Sequence, residues 1–284
     1  HTSVTTQTKF RINSISKSLT SLALIKLVSE GKLDLDAPIQ NYLPEFPIKK
    51  YAITARPLAG HLAGIRDYHE NNLSDLIRTE HYNSAIDAMH VFKDDTLLFE
   101  PGTRFHYSSY GWNLLGALIE KITGKHYLDY MNEVVFAPFG MQSTMGDDAT
   151  MTIPNRSVFY DLTGQPNALG DLSYKYAGGG LLSTAEDLVK FGNQVLNDKS
   201  ILPKQRQVLF QSQKTTDGKA TGYGLGWYVG VDRNGHRIWY HAGDSLSSSS
   251  WLVIYPDKNL VIALLANTQH AAAFHLYEIG ELFF

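Results

Sequence analysis

Ser14 and Lys17 stand three residues apart at the head of an apolar run, in the spacing Ser14-Ile15-Ser16-Lys17. On a helix, residues three apart share a face, so the serine hydroxyl and the lysine amine come within hydrogen-bond reach. That pairing suits an activated nucleophile: the hydroxyl attacks a carbonyl while an amine of depressed pKa takes its proton or supports another base. A serine in the first helical turn adds a second feature. Its own N–H belongs to the unpaired donors of the helix start and points where an oxyanion would form. Spacing alone also admits plainer readings, Ser14 as a helix N-cap and Lys17 as a solvated charge. The same spacing recurs at Ser29 and Lys32, where Gly31 ends a helix.

The element that must carry this pair is a helix. Leu19, Leu22, Leu24, Ile25, Leu27 and Val28 recur at helical spacing, and a short alternating stretch, Lys9-Phe10-Arg11-Ile12, leads into it. From Asp34 to about Glu100 the pattern is mixed, punctuated by Pro38, Pro44, Pro47 and Pro57. Leu114, Leu115, Leu118, Ile119 and Ile122 predict a second helix, closed by Gly124. A third opens at Ser183-Thr184-Ala185-Glu186, which reads as a capping box, and runs through Leu188, Phe191 and Leu196. The last third changes period. Tyr223 to Val231, Ile238 to Tyr240, Trp251 to Tyr255 and Leu260 to Leu265 predict antiparallel strands, with Asn234-Gly235 as a hairpin turn. A closing helix is expected over Ala271 to Leu282. The order implies an α+β fold, an antiparallel sheet flanked by helices plus a mostly helical insert region. Residues 1–13 and 171–284 are expected to form the sheet domain, and 14–170 the helical region that carries the nucleophile.

Composition narrows the function classes. The 284 residues are 43% hydrophobic and 19% charged, with a formal net charge of -3, so no basic surface for nucleic acid or an anionic membrane is implied. With no cysteine, thiol catalysis, disulfides and thiolate metal sites are excluded. No apolar run reaches the length of a membrane span. Eleven histidines invite a metal, but His61, His69, His81, His90 and His106 show no ligand spacing and read as solvated or capping residues. No metal or other cofactor is expected.

Four segments in order carry a family resemblance. The first is Phe10-Arg11-Ile12-x-Ser14-x-Ser16-Lys17-x-Leu19-Thr20 with Glu30-Gly31-Lys32-Leu33-x-Leu35 behind it. The second is Phe99-Glu100-Pro101-Gly102-x-x-Phe105-x-Tyr107-Ser108-Ser109, followed by Leu114-Leu115-Gly116. Tyr174 to Thr184 is the third, and His241-Ala242-Gly243, after Ile238-Trp239-Tyr240, the fourth. Together they resemble the serine β-lactamase-like and class C penicillin-binding proteins, nearest to the branch of the mitochondrial serine β-lactamase-like protein and its bacterial relatives. The resemblance implies a β-lactamase/transpeptidase-like fold and a serine acyl hydrolase, of peptidase, esterase or D,D-carboxypeptidase type. In it Ser14 is the nucleophile, Lys17 its activating partner, and Tyr107 a general base, partly ionised beside Lys17 or deprotonated during attack. Ser109 and His241 would contact the substrate, with His241 on a carboxylate or tuning Tyr107. Gly243 would let substrate lie against its strand, and the Asp244 N–H would complete the oxyanion site. A small-molecule or peptide substrate is implied, with a homo-oligomer left open and a periplasmic or secreted location.

The sequence departs from the family pattern in three places. Ser109 replaces an amide with a shorter hydroxyl, which argues against β-lactam hydrolysis. Asp244 stands where a small residue is usual, and its carboxylate would repel an oxyanion unless turned away. Only thirteen residues precede Ser14, where the family carries a helix and two strands, so upstream strands are expected to be missing from the chain. Ser109 and Asp244 favour the alternative, a weak or inactive binding or assembly protein; Ser14, Lys17 and Tyr107 favour the enzyme. Gly243-Asp244-Ser245-Leu246 also spells another esterase signature, with Ser245 as nucleophile. That motif belongs near an N-terminus with Asp-x-x-His downstream, and here Asp87 to His90 lies upstream. No G-x-S-x-G is present; Gly222-x-Gly224-x-Gly226 enters a strand rather than a helix, unlike a phosphate loop, and Gly178 to Gly180 reads as a tight loop beside the cleft.

Overall fold

The helix α1 (Ile15–Ser29) is buried on nearly every side, and the computed structural model places it at the centre of the fold. The structure describes residues 3–68, 75, 77–167, 170–198, 201–271 and 276–284. A helix in that position must satisfy its polar side chains internally. Ser18 Oγ donates to Gly226 O at 2.6 Å, Thr20 Oγ1 to Ala177 O at 2.9 Å, and Trp227 Nε1 to Ser21 Oγ at 3.2 Å.

Around α1 lie two antiparallel sheets. The small one orders β1 (Phe10–Arg11), β3 (Leu181–Ser183) and β2 (Met145–Gly146), with β3 in the middle. The large one runs β4 (Tyr228–Val231), β5 (Arg237–Ser245), β6 (Ser248–Tyr255) and β7 (Leu260–Ala266) in that order. The β4–β5 turn is the expected Asn234-Gly235 hairpin, with Gly235 at φ 83° and Asp232 N donating to His236 O at 2.9 Å. The fold is α+β, antiparallel sheets flanked by helices, as expected. One hydrophobic core joins Leu19 and Leu24 of α1, Leu114 and Leu118 of α2 (Ser109–Thr123), Leu188 and Phe191 of α3 (Ala185–Asn197), and Leu252 and Ile254 of β6.

Three boundaries differ from the sequence reading. The strand expected from Tyr223 starts at Tyr228. Gly222 and Gly226 have φ of 73° and 75°, and a Cβ on Gly226 would meet Lys17 O and the Trp112 ring at 2.8 Å. The stretch is a turn pressed against α1, where only glycine fits. The cap of α3 is Thr184, whose hydroxyl accepts from Asp187 N at 3.1 Å, while Ser183 belongs to β3. The closing helix spans Leu276–Glu281, and the expected positions 272–275 lie outside the described residues.

Candidate active site

Asn13 turns the chain from β1 into α1. Its left-handed backbone, at φ 46°, is tolerated because its amide is pinned, donating to Ser248 O at 3.2 Å and Ser248 Oγ at 3.0 Å. Ser14 then takes the N-cap position of α1, yet its side chain makes no capping hydrogen bond. Its hydroxyl is engaged by Lys17 Nζ at 3.0 Å.

Lys17 is fully buried. Nζ reaches Ser109 Oγ at 3.3 Å and Gly178 O at 2.6 Å in addition to Ser14. Burial pushes its pKa down to about 7; the carboxylate of Asp67 works against this and Lys175 with it.

Tyr107 completes the cluster. Its hydroxyl faces the Ser14 side chain, which favours its ionised form, and its ring lies 4.8 Å from Lys17 Nζ. Burial holds the phenol well above its ordinary pKa, so it is protonated at neutral pH rather than partly ionised. The Tyr107 segment is held largely by His61, expected from the sequence to be solvated or capping. His61 O accepts from His106 N at 2.8 Å, His61 Nδ1 accepts from Ser108 N at 3.0 Å, and its ring stacks on Tyr107 with centroids 4.1 Å apart. His61 is therefore neither solvated nor surface-capping: it is 2% exposed, and burial drives its pKa well below 6.5. Its setting among Leu58, Ala59, Gly60, Leu62 and Ala63 was the available signal for burial.

Asp67 was also missed, lying in the mixed region without a motif. Its Oδ1 accepts from Ser109 N at 2.8 Å. Ser109 Oγ itself accepts from Lys17 Nζ. Its short hydroxyl thus orients the lysine as well as facing the cleft.

The three remaining expected residues take different places. His241 does not line the cleft. It is 1% exposed, with Nδ1 against Ala242 O at 2.6 Å and Nε2 against the Tyr223 hydroxyl at 2.9 Å. A carbonyl only accepts, so Nδ1 carries the proton and Nε2 accepts from Tyr223. Burial, and then the Lys17 charge, lowers its pKa to about 3 and keeps it neutral. Both nitrogens are committed within the protein, which leaves neither for a substrate carboxylate. Gly243 faces the chain itself: a Cβ there would collide with Ile12 O and Ser250 Oγ and meet Asn13 Cβ at 2.8 Å. Its small size lets β5 approach the turn that presents Ser14. Gly243→Ala is expected to cost about 1–3 kcal/mol of stability and to lower the calorimetric Tm by several degrees; an unchanged Tm would show that this contact is slack. Asp244 lines the cleft, but its carboxylate is turned to His270, accepting from His270 N at 3.1 Å and lying 2.7 Å from His270 Nδ1.

These groups open onto a cleft of about 320 Å³ lined by Ser14, Asp67, Tyr107, Ser109, Lys175 and Asp244, among others. Residues 1–281 match the family described as Beta-lactamase. The chain belongs to the beta-lactamase family. Within it, the serine beta-lactamase-like protein LACTB, mitochondrial, of Homo sapiens is 31% identical over 347 residues, covering 89% of this chain. The chain spans 63% of that relative's length. The crystal structure of a penicillin-binding protein from Bacillus halodurans superimposes with a TM-score of 0.84 at 24% identity, over 98% of this chain and 86% of the other. The D-amino acid amidase from Ochrobactrum anthropi SV3 gives 0.80 at 25% identity, over 98% and 85%. Among the described residues, no helix of this beta-lactamase-family chain is long and apolar enough to cross a membrane.

Proposed function

We propose that the chain is a serine acyl hydrolase acting on an ester or amide through an acyl-enzyme on Ser14. One observation carries the reading: a fully buried amine of pKa about 7 lies 3.0 Å from a helix-start hydroxyl that is not spent on capping. A neutral lysine has two N–H donors and one lone pair. Gly178 O and Ser109 Oγ take the donors, which leaves the lone pair for the Ser14 proton.

In the proposed cycle Lys17 accepts that proton as Ser14 Oγ attacks the carbonyl carbon. The N–H of Ser14, for which no acceptor is found among the described residues, and that of Asp244 stabilise the oxyanion. Tyr107, protonated and facing Ser14, passes a proton to the leaving group; water then enters along the same path in reverse. The D-amino acid amidase neighbour supports an amide or ester carbonyl as the target. Two facts weigh against a binding-only role: the Asp244 carboxylate is turned to His270, and the Ser109 hydroxyl supports Lys17.

The test is a mass spectrum of the intact protein after brief incubation with a panel of small esters and amides. An acyl adduct on the peptide containing Ser14 is expected; an adduct elsewhere, or none across the panel, would sink the reading. A pH profile separates the roles. Because attack needs neutral Lys17, kcat/KM is expected to rise with pH through about 7. The Asp67 carboxylate holds that pKa up, so Asp67→Asn should move the rising limb to lower pH. A limb that stays in place, or moves up, would exclude Lys17 as the titrating base.

A further inference from the structure

Among the described residues, the cleft holds one charge that the chemistry above does not use. Of the ionised groups that line it, Arg11 is committed to Asp147, whose Oδ2 lies 2.6 Å from Nε, and Arg156 holds the other oxygen at 2.7 Å. Asp244 is committed to His270, and Asp67 accepts the Ser109 N–H. Lys175 is different. It is partly buried in the cleft wall, and its ammonium makes no hydrogen bond or ion pair with any described residue. Its ammonium instead sits 5.4 Å from the ring centres of both Tyr68 and Tyr174. An aromatic face attracts a cation without using its N–H groups, so three donors stay available to a ligand.

A cation drawn part-way out of water with no counterion among the described residues is costly, and its pKa is lowered to about 8, chiefly by burial with Arg11 adding to it. An anion entering the cleft would supply the missing partner. The nearby carboxylates of Asp67 and Asp147 only partly offset that burial.

We propose that Lys175 is a recognition site for a carboxylate carried by the substrate, so that this cleft prefers acidic esters or amides to neutral ones of the same size. The inference rests on the reading of the cleft as an acyl-transfer site. The carboxylate can belong to the acyl group or to the leaving group, and two ester pairs distinguish them: monophenyl glutarate against phenyl pentanoate, and 4-carboxyphenyl butyrate against phenyl butyrate.

At about pH 7, where Lys175 is charged, one acidic ester is expected to exceed its neutral mate in kcat/KM by about tenfold or more, the size of a charge-assisted contact. Lys175→Met should bring that ratio close to unity and Lys175→Arg should retain it, each variant keeping the wild-type Tm within a few degrees. The preference should also fade as pH rises past about 8, which a purely structural lysine would not produce. A ratio unaltered by Lys175→Met in both pairs overturns the proposal. If no ester is turned over, the acyl-transfer reading fails on its own, and calorimetric titration with glutarate decides the anion site separately. Binding lost in Lys175→Met supports it; absent or unaltered binding refutes it.

Discussion

Replacing Ser14 by alanine is expected to abolish acyl-enzyme formation and to cut hydrolysis by about four orders of magnitude or more, the scale on which a catalytic nucleophile is lost. The fold should be indifferent to the change. The Ser14 hydroxyl caps no helix N–H, and Lys17 keeps two of its three contacts, to Ser109 and Gly178. A Tm within a few degrees of wild type, with no adduct by mass spectrometry, is therefore the expected pair of results. Turnover that survives would move the nucleophile elsewhere, and Ser245, which also lines the cleft, would be the next serine to replace.

Tyr107→Phe should be the second largest effect, slowing hydrolysis by about two to four orders of magnitude. Phenylalanine keeps the ring that stacks on His61 and faces Lys17, so position is preserved and only the hydroxyl is removed. The loss should depend on the leaving group. An alkyl alkoxide or an amine must be protonated as it departs, whereas nitrophenolate need not be. Amides and alkyl esters should thus suffer far more than nitrophenyl esters, with KM little altered. Equal losses for all would mean that Tyr107 does something other than deliver a proton.

Much of this site was legible along the chain. Ser14 and Lys17 are local, three residues apart on one helix, and spacing decides their meeting. The glycine and aromatic signals of the last third likewise predicted the hairpin and strands, because turn chemistry and period-two patterning act over a few residues. Tyr107 is ninety-three positions from Ser14 in the sequence, and only ordered resemblance pointed to it. His61 and Asp67 carried no such label. Their work lies in backbone contacts to residues 106–109, which depend on two distant loops crossing and leave no periodic trace.

His241 and Gly243 show the converse. Both were placed on the right strand, and neither lines the cleft: alternation assigns side chains to opposite faces of a strand, but which face meets the cleft is settled by what packs behind it. The sequence by itself determined the meeting of Ser14 and Lys17, the α+β order of elements and the family. Tertiary structure alone decided that Lys17 is dry enough to titrate near neutrality, that Tyr107 stays protonated, and that Asp244 turns away. The physical reason is that residue type and spacing set what a group can do, whereas its charge state depends on the water and partners that the rest of the chain removes or supplies.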